Sequence, residues 1–191
     1  DRLRTVLNAP SFLYQDAASG VLDDYSLASR LSYFLWRSMP DDALLAVAED
    51  GRLSEPAELA SQVERMLDDP KSKRFIKDFV GQAYRLYEIN STSPDTGLYP
   101  EFNDLLGQAM IAESELFYEE LIRENLSLTN LVRSGFTFLN RRLAEHYNVP
   151  GIEGQQMRKV MLPEGSMRGG LLSQGSIHKI TANGTTTSVS Y

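Results

Sequence analysis

Two glutamates seven positions apart, Glu113 and Glu120, are the residues whose type and spacing point first to chemistry. They lie in the run Pro100 to Glu124, PEFNDLLGQAMIAESELFYEELIRE, which reads as one long helix: Pro100 suits a first turn, and no later proline interrupts it. At about 100° per residue, Phe102, Leu105, Leu106, Ala109, Ala112, Leu116 and Phe117 share one side, while Ile111, Tyr118 and Ile122 carry apolar surface round the back. Both acids then point into the main apolar face, where a carboxylate needs partners or a raised pKa. About 10 Å of helical rise separates them, too far to share one proton or to hold one metal ion unaided. No Glu-x-x-His pair of a carboxylate-bridged di-iron bundle occurs. Two roles stand side by side: each acid is held by an arginine, with Arg85, Arg123, Arg141 and Arg142 available, or one of them handles a proton or binds a cation.

The only histidines are His146 and His178. Imidazole ligates metals and haem iron, yet these two fall in different regions, and His146, on a helix ending in His-Tyr, also suits simple packing. Catalytic candidates are therefore Glu113, Glu120, His146 and His178, with no metal site expected. A serine nucleophile lacks its Gly-x-Ser-x-Gly elbow. The stretch Arg168 to Ser188 offers a different chemistry. Gly169-Gly170 permits unusual backbone angles, Asn183-Gly184 signals a turn, and hydroxyls follow from Thr185 to Ser188. Turn N–H groups beside Arg168 or Lys179 suit an anion, which makes Arg168, Asn183, Gly184 and Thr185 candidate ligand residues. The other reading is a tight connection into a further strand or helix.

The elements that would position these groups are mostly helices. Asp23-Asp24 caps a helix over Tyr25 to Arg37, with Leu27, Leu31, Phe34 and Leu35 at helical spacing and the single Trp36 in its last turn. Asp41-Asp42 caps Ala43 to Glu49, which Gly51 ends. Glu55-Pro56 opens a helix with Leu59, Val63, Met66 and Leu67 inward, stopping at Asp69-Pro70. Lys71 to Tyr87 restarts with Phe75, Ile76, Phe79, Val80, Ala83 and Leu86 as its core side. Asn90 to Gly97 is a polar connection, expected to be mobile. After the long helix, Ser127 caps a short helix through Arg133. Phe136 to Leu139 reads as a short strand, and Asn140 caps Arg141 to Tyr147. Beyond Gly154 glycine and serine rise and helical periodicity fades. Lys159 to Leu162 suits a strand, with one turn of helix near Leu171.

A charge of −7 with scattered Lys and Arg excludes a phosphate-tracking basic stripe, so nucleic acid is not an expected partner. The 42% hydrophobic and 24% charged shares are those of ordinary globular domains. No apolar run approaches the ~20 residues of a membrane-spanning helix. The absence of cysteine excludes disulfides, thiolate metal sites and a covalently attached c-type haem within these residues. The opening DRLRTVLNAPSFLY reads as the end of a helix already under way, so a fragment of a longer polypeptide is expected.

DYSLASRLSYFLWRSMPDDALL, AESELFYEELI, FTFLNRRLAEHYNVPGI and RGGLLSQGSIHKITANGTTTS together resemble the planctomycete-type domains of unknown function. Those domains follow one another in large secreted or periplasmic proteins that often carry a c-type cytochrome domain. The resemblance implies the end of one domain over 1–19, a helical domain over 20–155 and the start of another over 156–191. It also implies a periplasmic or secreted setting, neighbouring domains and a cytochrome domain as partners, and haem elsewhere in the polypeptide, with no cofactor here. One departure is Thr186, where the resembled segment often has arginine. The expected fold is mainly α: about seven or eight helices bundled around a long central one, then a short irregular, β-poor C-terminal segment. The expected role is docking or positioning near an electron-transfer domain. The alternative is an enzyme pocket lined by Glu113, His146 and the Arg168–Ser188 loop, acting on an extracellular substrate such as carbohydrate.

Overall fold

In a computed structural model the described residues are 20–182, and they form seven α-helices and one two-stranded sheet. The candidates Asn183, Gly184 and Thr185 lie outside them. The chain divides into two compact units, residues 1–75 and 76–191.

In the first unit, aspartates open two of the three helices. Helix α1, Asp24–Trp36, begins where Asp23 accepts the Ser26 N–H at 2.9 Å, and α2, Asp42–Glu49, where Asp41 accepts that of Leu44 at 3.0 Å. Asp41 also receives two guanidinium bonds from Arg65 on α3, Pro56–Asp68, at 2.8 and 3.0 Å. Those bonds hold its carboxyl below the usual range. Gly51, at φ 67°, supplies the left-handed residue that ends α2. Trp36, Leu44, Leu53 and Met66 pack the core between these helices. The Trp36 indole N–H donates to the Met66 carbonyl at 2.8 Å, and the Lys71 ammonium stands 4.2 Å from the ring centroid. Trp36→Phe leaves that carbonyl unpaired and a void beside it, so a loss of about 2 kcal/mol is expected in denaturant unfolding. Phe34, expected inward, is 63% exposed. Leu35, named at the same apolar spacing, is buried as expected, and Trp36 takes the remaining core-facing position.

The helix expected over Lys71 to Tyr87 is broken. A 3₁₀ turn, Pro70–Ser72, precedes α4, Lys73–Ala83, and the chain then reverses hand at Arg85, φ 52°, before a second 3₁₀ turn, Leu86–Glu88. Val80 is buried, whereas Phe79, expected inward, is 48% exposed.

The second unit is organised on α5, Asp104–Arg123. Its start corrects the sequence expectation: Pro100 lies outside the helix, because the Asn103 side chain accepts the Leu106 N–H at 3.1 Å and caps the helix four residues later than the proline suggests. Starting there leaves Leu105 58% exposed, while Leu106, Met110, Phe117 and Leu121 are buried. Strand β1, Phe136–Leu139, is buried along its length and packs on α5; β2, Arg158–Met161, pairs with it antiparallel, Phe136 opposite Met161 and Leu139 opposite Arg158. Between them Asn140 caps α6, Arg141–His146, by accepting the Leu143 N–H at 2.9 Å. Up to residue 182 the glycine-rich stretch carries more regular structure than its composition suggests. A 3₁₀ turn, Leu171–Ser173, leads into α7, Gly175–Thr181, which packs back onto α5. From α7, Lys179 Nζ donates to the Thr92 carbonyl and hydroxyl oxygens at 2.7 and 2.8 Å, pinning the polar connection that composition marks as mobile. Lys179 has no carboxylate partner among the described residues, and burial lowers its pKa.

Candidate functional site

Glu113 is 2% exposed, drawn in because it lies on the face of α5 that also buries Leu106, Met110 and Phe117. The expected arginine clamp is absent among the described residues, and hydroxyls take its place. Thr137 of β1 donates to Oε1 at 2.5 Å, and the Tyr147 phenol, one residue past α6, donates to Oε2 at 2.6 Å. The Tyr147 oxygen in turn accepts the Gly175 N–H at 2.6 Å at the start of α7. Burial is the main influence on Glu113 and lifts its pKa to about 7, although both hydroxyls and the nearby Arg168 charge favour the ionised form. Burial likewise raises Tyr147, helped by the adjacent carboxylate. Beside this lies a neutral extension: Ser114 Oγ donates to Gln174 Oε1 at 2.6 Å and lies 2.6 Å from Ser176 Oγ. All these polar side chains are buried and paired, as an interior of low dielectric demands.

Arg168 lies with its guanidinium carbon 3.7 Å from the Tyr147 ring centroid, and its Nη1 donates to the Ser173 carbonyl at 3.1 Å. His146 immediately precedes that tyrosine in the chain and is half-buried, with Nδ1 3.3 Å from Glu101. Burial lowers its pKa, opposed by Glu101. It faces a cleft of about 470 Å³ whose rim also includes Glu101, Asn103, Arg142 and Glu145. Glu113 does not line this cleft.

Of the candidates read from sequence, the fold thus gathers Glu113, His146 and Arg168 around Tyr147. Glu120 stands apart on α5, held by Arg123 and by Lys159 at 2.6 Å, with the same ammonium 4.4 Å from the Phe136 ring centroid. The arginine expected for an inward acid is present there, joined by a lysine from β2. His178 is exposed on α7. Thr137, Tyr147, Gln174 and the two serines were not singled out in the sequence. A hydroxyl inside the otherwise apolar FTFL strand was the available signal for Thr137. No group of three or more His, Cys, Asp and Glu able to hold a metal occurs among the described residues.

A carboxylate closed off by hydroxyl donors from two segments, one of them tied in turn to a third, within a mainly α-helical unit, is the arrangement of an interior clamp in a helical domain. The chain belongs to the PSD4 family, a family of proteins of unknown function (DUF1592), whose sequence profile matches residues 22–149. No curated protein and no solved structure matches the chain.

Proposed function

We propose that the chain is a docking and positioning module, without catalysis of its own, in a periplasmic or secreted redox protein linked to a c-type cytochrome. What carries the non-catalytic part is Glu113. Both of its oxygens are occupied by protein hydroxyls, it is closed to solvent, and the donors come from β1 and from the junction of α6 with α7. A group so enclosed cannot reach a substrate, but it fixes the C-terminal segment on the long helix. The setting rests on the resemblance of the four sequence segments to domains that accompany cytochromes, and so does the reading of residues 156–191 as the opening of a neighbouring domain. The enzyme alternative would need Glu113 to act on a cleft that His146 lines and Glu113 does not.

The full-length polypeptide is expected in the periplasmic or secreted fraction with a c-type haem spectrum. Its rate of haem reduction should be unchanged by His146→Ala or Arg168→Met wherever circular dichroism shows the fold intact. A haem-free cytoplasmic polypeptide, or a folded variant that has lost turnover, would overturn the reading.

A further inference from the structure

Strand β2 forms the outer edge of the sheet. The Leu162 N–H donates to the Gly135 carbonyl at 2.8 Å, which makes these two a hydrogen-bonded pair of the ladder. Bonded and non-bonded pairs alternate in an antiparallel ladder. Val160 and Arg158 therefore exchange bonds with Thr137 and Leu139, and the backbone N–H and C=O groups of Lys159 and Met161 point away from β1. Among the described residues those groups have no backbone partner. The edge is open, Arg158, Lys159 and Met161 being exposed and Met161 70% so. Its charge has one sign. Lys159 is engaged by Glu120, while Arg158 donates to the Glu153 backbone carbonyl and has no carboxylate partner among the described residues.

Unpaired edges are templates for another strand, and the charge at the edge selects which strand. A second copy of this edge would bring a second Arg158 without a carboxylate partner to the seam, so the occupant that fits is acidic. We propose that the edge Arg158–Met161 takes up an extended acidic segment of a partner protein as a third strand, bonded to the outward backbone groups of Lys159 and Met161 with a carboxylate at Arg158. This deepens the docking reading and rests on it.

The test uses a synthetic peptide of alternating glutamate and valine, followed by amide NMR of the whole chain. Binding should shift the Lys159 and Met161 amides and slow their hydrogen exchange. Met161→Pro removes one outward N–H and spares the β1 ladder, so affinity should fall about tenfold, as for one lost backbone bond. Arg158→Glu should reverse the preference toward a lysine–valine peptide. Absence of binding by the wild type, equal binding by both folded variants, or sedimentation showing that the edge joins two copies would overturn the proposal. A failed peptide experiment leaves the haem spectrum and cell fraction as they are, so the two readings fail separately.

Discussion

Stability is expected to fall by about 3 kcal/mol as pH rises from about 4.5 to about 7, and Glu113→Gln should remove that slope. The sign follows from proton counting. In the unfolded chain Glu113 has its ordinary value of 4.5, whereas in the folded chain burial lifts it to about 7. Between those values the native state holds a proton that the unfolded state has released, so raising the pH favours unfolding. Above about 7 both states are ionised and the effect levels off. The Glu113 site is almost wholly buried, so solvent screening does not reduce the effect. His146 works the other way in part of the window. Its folded value is lowered, so stability is lost as pH falls below the ordinary histidine value of 6.5. Asp23 and Asp41 are lowered below 3.8 and act at more acid pH. Subtracting the Glu113→Gln profile from the wild-type profile in urea unfolding therefore isolates the one group. A wild-type profile that rises through this window and coincides with that of the variant would remove Glu113 as its source.

Gly170→Ala is expected to destabilise by about 4 kcal/mol or to prevent folding, because it combines a left-handed backbone with a collision against main chain. Gly170 has φ 88°, and a Cβ there would lie 2.7 Å from the Val132 carbonyl carbon and oxygen and 2.8 Å from the Leu131 oxygen. No rotamer change relieves contacts with backbone. Gly165 is the control: its φ is 77°, but its Cβ would meet nothing within 4 Å, so Gly165→Ala should lose only about 1 kcal/mol. Thermal unfolding of the two variants side by side gives the comparison, and equal losses would show that the close approach at Gly170 carries no weight.

Local signals in the chain were readable where a side chain acts on its own neighbourhood. Asp23, Asp41 and Asn140 cap the helices expected of them, Gly51 ends the second helix, and FTFL is a strand. The inward turn of Glu113 and Glu120 also followed from helical spacing. What escaped depends on competition or on distance. Pro100 and Asn103 both suit a helix start, and only the hydrogen bond actually made to Leu106 decides between them. Amphipathic spacing alone cannot tell which of Phe34 and Leu35, or of Phe79 and Val80, meets the core, since adjacent residues differ by one step around the helix. The partners of Glu113 lie 24 and 34 positions downstream, and nothing in its own helix announces a hydroxyl in place of an arginine.

The ammonium of Lys179 reaches a connection 87 positions earlier. Translation runs from the amino end, so the turn around Thr92 leaves the ribosome long before the group that pins it, and the phenol of Tyr147 likewise waits for the Gly175 amide. The long helix of the second unit must therefore spend that interval with its acid and its serine still hydrated. The last of the described helices to be made is the one that dries them.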